Sequence, residues 1–366
     1  MSNSLKNSEK SVEKSAKTLF TKRLMTWNSK NNRRIMPWKG EKDPYKIWLS
    51  EIILQQTRVE QGLAYYNRFI EKYPSILDLA NAKDERVFKL WEGLGYYSRC
   101  RNILITARYI AFELGGIFPK HYEEILQLKG VGPYTAAAIA SFAYNQPYAV
   151  VDGNVFRVIA RYFGIDDATD TTPGKFLFTK WANELLLVKE PGLYNQAIMD
   201  FGATVCKPAL PLCATCILSK NCTALAFGKV NVLPVKSKTI QKKYRWFYYF
   251  IFHVNGKTAI IQRTNKDVWQ GLHEFYLYES SKEMKWNKVS IDHFLQDQLG
   301  VEEASIIQIS TPKKQQLTHQ QINGQFIEIN LPAIPNSLIG LHWVKKSALK
   351  QLAFPRFITA YFEDPI

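Results

Sequence analysis

Two carboxylates stand out against apolar surroundings. Glu51 lies in Ile47-Trp48-Leu49-Ser50-Glu51-Ile52-Ile53-Leu54-Gln55-Gln56-Thr57-Arg58, an apolar helix interrupted by a polar stripe of Glu51, Gln55 and Arg58. Such a stripe is usually a solvated face, yet apolar neighbours on most other sides would put Glu51 in a partly dry pocket. Desolvation raises a carboxyl pKa and suits a general acid near neutral pH. Asp152, in Val150-Val151-Asp152-Gly153-Asn154-Val155, sits beside a helix start and is expected to stay ionised. Asp152-Gly153 also fits an ordinary turn or N-cap pair. One protonated and one ionised carboxylate, separated by environment, is the division of labour that N- or O-glycoside cleavage uses.

Four of the five cysteines are crowded into one short stretch, as Cys206-x6-Cys213-x2-Cys216-x5-Cys222, with Pro208 and Pro211 adding loop character. Thiolates packed this tightly suit zinc or a [4Fe-4S] cluster, and spacing does not decide between them. Cys100 stands outside the group and reads as a buried or incidental thiol.

Asp152 is positioned by the stretch from Leu128 to Val155. Gly130-Val131-Gly132 follows an amphipathic segment (Tyr122, Ile125, Leu126, Leu128), and Pro133 opens a second helix through Ala136-Ala137-Ala138-Ile139-Ala140. That is helix, hairpin, helix. Unpaired N–H groups at the second helix start, beside glycines that admit another backbone, can hold a phosphate. Gly130-x-Gly132 with Asp152 downstream imitates a dinucleotide fingerprint, but Thr135 replaces the third glycine and the preceding period is helical. An echo occurs at Gly93-Leu94-Gly95-Tyr96-Tyr97 ahead of Arg99 and Arg101, where tyrosines suit stacking on bases and arginines suit phosphates.

The 366 residues, 46% hydrophobic, are enough for two domains. A net charge of +16 argues for a polyanionic partner, nucleic acid before membrane, since no apolar run reaches the ~18 residues of a spanning helix. Residues 1–16 are Ser, Asn, Lys and Glu with almost nothing apolar; they lack the core of a secretory signal and are expected to form a disordered tail. Helical periodicity occupies 17–228, with Leu19, Phe20, Leu24 and Trp27 on one face and further patterns at 45–56, 59–72, 83–91, 99–114, 134–143, 153–163 and 174–188. A basic linker is expected at 229–245, with Pro234 and six basic residues, Lys229, Lys236, Lys238, Lys242, Lys243 and Arg245, and no acid. Residues 246–366 carry short aromatic and β-branched runs, helices at 290–299 and around 347–353, and an Asn323-Gly324 turn, a small α+β domain.

Residues from about 17 to 225 resemble the helix-hairpin-helix DNA glycosylases with an iron–sulphur loop, specifically the adenine DNA glycosylases of the MutY type. The resemblance is carried by RIMPW (Arg34 to Trp38), WLSEIILQQTRV (Trp48 to Val59), GLGYYSR (Gly93 to Arg99), LKGVGPYTAAAI (Leu128 to Ile139), VVDGNV (Val150 to Val155) and the four cysteines. It implies a mainly α glycosylase domain whose [4Fe-4S] loop, ligated by Cys206, Cys213, Cys216 and Cys222, plays a structural part and contacts DNA. Glu51 would protonate the flipped adenine and Asp152 would stabilise the oxocarbenium-like sugar, assisted by Tyr134 and Asn154. Arg34 and Trp38 would help line the adenine pocket. Gln56 and Tyr96 would fill or wedge the helix near the lesion, Leu54 and Thr57 would contact the opposite base, and Gly130 and Gly132 would bind backbone. The implied partner is double-stranded DNA with 8-oxoguanine:adenine or guanine:adenine mispairs, met by a monomeric, cytoplasmic, nucleoid-associated bacterial enzyme.

One position separates this chain from its endonuclease III-type relatives, in which a lysine stands at the place of Tyr134 and cuts the strand through a Schiff base. Tyrosine cannot form one, so a monofunctional glycosylase is expected. Residues 246–366 resemble the MutT/Nudix-like domain of the same family through Trp269-Gln270-Gly271-Leu272-His273-Glu274-Phe275. The helix that would carry the Nudix metal site reads SIDHFLQDQLG, so no nucleotide hydrolysis is expected. Where family members read 8-oxoguanine with Phe-Ser-His, this chain offers Leu317-Thr318-His319, which keeps a hydroxyl on Thr318 and a ring donor on His319.

Overall fold

The computed structural model describes residues 2–237 and 241–364, with side chains from Lys14 onward. Its helices are α1 (Ser2–Asn31), α2 (Pro44–Leu54), α3 (Val59–Lys72), α4 (Ile76–Ala80), α5 (Asp84–Trp91), α6 (Ser98–Arg108), α7 (Tyr122–Gln127), α8 (Pro133–Tyr144), α9 (Gly153–Phe163), α10 (Thr172–Leu185), α11 (Pro191–Thr204), α12 (Thr223–Ala226), α13 (Lys288–Leu299) and α14 (Arg356–Glu363). A π-helical turn, Tyr109–Glu113, continues α6. No described helix is long and apolar enough to cross a membrane.

The chain forms two compact units. One comprises Met1–Ala80 and Ile105–Lys238, the other Asn81–Leu104 and Thr239–Ile366. In the helical unit, Phe20, Leu24 and Trp27 recur at helical spacing along α1 and bury against Val158, Ile159 and Tyr162 of α9, Phe178 of α10 and Phe201 of α11. Helix α2 is apolar on nearly every side and packs on α3 and α8. Helix α8 begins at Gly132 with Pro133 in its first turn, and Gly130 takes φ +81 in the hairpin before it.

The N-terminal stretch departs from expectation. Residues 2–16 are not a tail but the first half of α1. They contain neither proline nor glycine, and extending a helix already anchored at Phe20 costs far less than nucleating one.

In the second unit the eight strands among the described residues form one sheet: β1 (Lys243–Val254), β2 (Lys257–Gln262), β3 (His273–Glu274), β4 (Tyr276–Ser280), β5 (Ser305–Ile309), β6 (Lys313–Gln316), β7 (Gln320–Asn330) and β8 (His342–Lys345). Strand β1 runs parallel to β7 and antiparallel to β2 and β4. Its aromatics alternate. Phe250 and Phe252 pack with Trp286 and Phe294 on the α13 side, whereas Tyr249 stacks on Phe326 beside Phe357 and Tyr361 of α14.

Three expectations fail here for physical reasons. Asn323-Gly324 is not a turn: it lies inside β7, where Gly324 faces Phe247 of β1 and an added Cβ would sit 1.7 Å from the Phe247 carbonyl oxygen. That glycine serves close backbone approach. The span 229–245 is not one free linker, because Leu233 is buried in the helical core, Thr169 donates its N–H to the Val235 carbonyl at 3.0 Å, and Lys243 to Arg245 already belong to β1. Arg245 is buried and paired to both Asp267 and Glu279; Lys238 lies outside the described residues. Residues 81–104 form part of the same compact unit as the sheet: Gly271 closes on the Phe88 ring, Lys89 donates to the Leu352 carbonyl and Phe354 N–H donates to Glu92. The helix expected around 347–353 is a 3-10 turn, Lys346–Gln351, and α14 follows it.

Candidate active site

Asp43 starts α2 by accepting the Tyr45 N–H at 2.9 Å, with Pro44 in the first turn. Two turns on, Glu51 is buried among Trp48, Ile52 and Ile53, with 6% of its surface exposed. Tyr134, in the first turn of α8, donates its hydroxyl to Glu51 Oε2 at 2.7 Å, and Gln55 Nε2 donates to Thr135 Oγ1 at 3.3 Å. Burial pushes the Glu51 carboxyl up to about 7; the Tyr134 hydrogen bond opposes this, and the charge of Asp152 adds to it. Tyr134 is itself held neutral, its pKa raised well above 10 by burial and the two carboxylates.

Asp152 caps α9, its Oδ1 accepting the N–H groups of Asn154 at 2.9 Å and Val155 at 2.8 Å, while Asn154 Nδ2 donates to Oδ2 at 2.7 Å. Burial nonetheless raises its carboxyl above the ordinary aspartate value, against those three hydrogen bonds and the charge of Arg157. The helix start and its donors favour the anion, but they do not fully offset the loss of water. Within the pair, Asp152 has three donors and the helix N-terminus against the single donor of Glu51, so Asp152 is the better-stabilised anion.

Several organising residues left no mark in the periodicity. Arg157 Nη2 donates to Asn154 Oδ1 at 2.7 Å and to the Gly202 carbonyl at 2.8 Å, while its Nε donates to the Cys206 carbonyl at 2.7 Å. Arg161, one turn on, donates to the Lys207 carbonyl at 2.7 Å and to Cys206 Sγ at 3.5 Å. Helix α9 thus links the Asp152 corner to the cysteine segment. Helix α11 shows little amphipathic contrast, because Gly192, Asn195, Asp200 and Gly202 are buried as well as the apolar face of Tyr194, Ala197, Ile198 and Phe201. Its signal is a lone Asp200 inside an apolar run. Gly202 of α11 packs under Asn154, where an added Cβ would lie 2.6 Å from Asn154 Cβ and 2.9 Å from its carbonyl oxygen. Gly202→Ala is therefore expected to lower stability by about 1–3 kcal/mol in thermal melts; a variant as stable as the parent would mean that α11 yields freely.

The other predicted residues fall in three places. Arg34 Nη1 pairs with the buried Asp200 at 3.0 Å, and Trp38 lies edge-on to Tyr66 with ring centres 5.4 Å apart. Leu54 ends α2; Gln56 follows, exposed and in the left-handed region at φ +54, and Thr57 N–H donates to the Leu54 carbonyl at 3.1 Å. Gly130 and Gly132 form the hairpin before α8. In the sheet-containing unit, Tyr96 is left-handed too, at φ +48, and half exposed. Strained non-glycine residues of this kind concentrate at functional sites. Its hydroxyl shares a hydrogen bond with Thr318, and the two line a cavity of about 500 Å³ with Arg101, Trp269, Gln315 and His319. Exposed His319 accepts the Lys243 N–H on its carbonyl at 3.0 Å.

Cys206, Cys213, Cys216 and Cys222 are unbridged and partly buried. Every pair among them is close enough for one thiolate to raise another's pKa. Among the described residues no three ligating side chains close on a single ion position. Four soft donors gathered in one segment have the chemistry of a thiolate metal centre, zinc or iron–sulphur.

The chain is similar to known DNA repair proteins in both halves. The HhH-GPD superfamily base excision DNA repair profile matches residues 49–183, and the NUDIX domain profile matches residues 247–364. The adenine DNA glycosylase of Buchnera aphidicola subsp. Acyrthosiphon pisum (strain APS) is 35% identical over 282 residues, covering 75% of this chain and 80% of that protein. The adenine DNA glycosylase of Mus musculus is 42% identical over 230 residues, 59% of this chain and 44% of that protein. Among solved structures, a thermostable thymine-DNA glycosylase matches with a TM-score of 0.54 at 30% identity, over 58% of this chain and 98% of that one. A non-covalent endonuclease III–DNA complex matches at 0.52 and 20% identity, over 59% and 97%, a likeness of fold.

Proposed function

Since this chain belongs to the adenine DNA glycosylase family, we propose that it excises adenine mispaired with 8-oxoguanine or guanine in duplex DNA, as a monofunctional enzyme working as a cytoplasmic, nucleoid-associated monomer. The carrying observation is the Glu51–Tyr134 hydrogen bond beside Asp152. It joins an acid poised near neutral pH to a tyrosine where Schiff-base chemistry needs an amine.

The target adenine is extruded from the stack, at a cost of a few kcal/mol that mispairing reduces. Glu51 transfers its proton to the imidazole ring of the base, making it a neutral leaving group. The bond from sugar C1′ to the base breaks and its electron pair leaves with the base. The positive charge on the sugar is met by the Asp152 carboxylate, held by Asn154 and its cap hydrogen bonds. Water adds to C1′, and its proton returns to Glu51. Tyr134 holds Glu51 in place and stays neutral throughout.

Arg34 and Trp38 line the adenine pocket. Leu54, Gln56, Thr57, Gly130 and Gly132 contact DNA in this reading, and the left-handed backbone of Gln56 supports a wedging part. Tyr96, Thr318 and His319 read the 8-oxoguanine side, supported by their shared cavity. Cys206, Cys213, Cys216 and Cys222 would hold a [4Fe-4S] cluster, which supplies structural cross-linking and no reaction step; Arg157 and Arg161 bind that segment to α9.

Single-turnover assays on duplexes with adenine opposite 8-oxoguanine, guanine or thymine test the proposal. Adenine release is expected for the first two and least for thymine, leaving an abasic site that borohydride does not trap on the protein. Efficient borohydride trapping would overturn the monofunctional reading, and absence of adenine release the substrate.

A further inference from the structure

A third buried carboxylate organises the segment that bears Arg34 and Trp38. Asp200, inside α11, is fully buried, and its oxygens accept from Arg34 Nη1 at 3.0 Å, Lys39 Nζ at 2.9 Å, Asn32 Nδ2 at 2.9 Å and Gln196 Nε2 at 3.1 Å. Three of these four donors come from residues 32–39, the irregular segment between α1 and α2. Lys39 Nζ also donates to the Arg34 carbonyl at 3.1 Å, and Asn32 Oδ1 accepts the Arg34 N–H at 3.1 Å, so the segment is closed on itself around the carboxylate. Ile35 in its middle is 91% exposed, so apolar packing does little to hold that point. A carboxylate stripped of water and shared by two cations is geometrically demanding, and removing it leaves two partly buried cations without their common anion.

The same helix also secures the Asp152 corner. Asn195 accepts the Val150 N–H at 3.1 Å and donates to the Tyr148 carbonyl at 2.8 Å, just ahead of Asp152, and Gly202 closes against Asn154. Helix α11 is therefore a common frame for the segment bearing Arg34 and Trp38 and for the corner bearing Asp152 and Asn154.

We propose that Asp200 is a positioning residue for base excision: by clamping Arg34 and Lys39 to α11 it sets the base-holding segment in register with Asp152. The inference rests on the reading of Arg34 and Trp38 as adenine-pocket residues. A double-mutant cycle of Asp200→Asn with Arg34→Met in the full chain tests it, read as the saturating single-turnover rate of adenine release from an 8-oxoguanine:adenine duplex, with duplex affinity and melting temperature alongside. Asp200→Asn is expected to lower the saturating rate about 10- to 100-fold, the scale of a misplaced contact, with duplex affinity changed less than about threefold. Asp200→Glu should restore part of the rate. In the Arg34→Met background the further loss should be under about threefold, because residues acting as one unit are not additive. Additive losses, or an unchanged rate in Asp200→Asn, overturn the inference. If Asp200→Asn does not fold, the cycle is run with Asp200→Glu and Lys39→Met, and additivity there overturns it equally. No adenine release by the parent chain would overturn the substrate reading and this inference together, whereas release with additive losses overturns the inference alone.

Discussion

Glu51→Gln is expected to bind mispaired duplex like the parent yet lose adenine release by about 10²–10⁴-fold, the usual worth of a positioned general acid. The amide keeps the volume and can still accept from Tyr134, so the α2–α8 contact survives. What disappears is the proton. In the parent that proton is present below the Glu51 pKa of about 7 and is lost above it, so excision should fall roughly tenfold per pH unit on the alkaline side of 7. Stability should move the other way. Because burial raises the carboxyl from 4.5 to about 7, the folded state binds a proton that the unfolded chain releases, and stability declines as pH rises from about 4.5 to 7. Glutamine has no charge to bury. The variant should therefore be more stable than the parent above pH 7, by on the order of 3 kcal/mol at most, and show little gain at pH 4. Single-turnover kinetics and melting curves across pH check both halves. Full activity in the variant, or a parent rate flat through pH 7–9, would remove Glu51 from its assigned role.

Such a trade of stability for reactivity also explains why the site was legible in sequence while its support was not. Glu51 and Asp152 announce themselves through local chemistry, a charge inside an apolar helix and an N-cap, and a glycine–proline start marks α8, whereas the part of Tyr134 followed only from the family resemblance. Those signals depend on a few neighbouring residues, and α8 and α9 begin where they point. Asp200, Arg157 and Asn195 work through partners 45 or more positions away in the chain, and no local pattern records that. Asn323-Gly324 shows the converse failure. Its strong local turn signal yields to parallel pairing with β1, where the glycine admits the Phe247 carbonyl. The Asp152 pKa belongs to the same class, since a cap is visible in sequence and the depth of burial around it is not.

Asp152→Asn carries the second large effect and isolates charge from geometry. Asparagine is as good an N-cap as aspartate, and its Oδ1 can keep the N–H groups of Asn154 and Val155, so α9 should start where it does now. The other oxygen is the sensitive one. Asn154 Nδ2 donates to Asp152 Oδ2 while Asn154 Oδ1 accepts from Arg157, so a new amide at 152 sets donor against donor, and turning Asn154 over would strip Arg157 of its acceptor. A destabilisation of about 1–3 kcal/mol is expected from that mismatch. Catalysis should suffer more, by about 10³-fold or beyond, since the developing positive sugar loses the one anion aimed at it in a dry site. The residual rate carries a further signature. The Asp152 charge helps to raise the Glu51 pKa, so removing it must lower that pKa and move the alkaline fall in rate to lower pH. A variant in which the fall moved to higher pH, or in which excision persisted at the parental rate, would show that the two carboxylates do not share the reaction centre. The double variant with Glu51→Gln should be little worse than either single one, because acid and anion stabilise the same transition state.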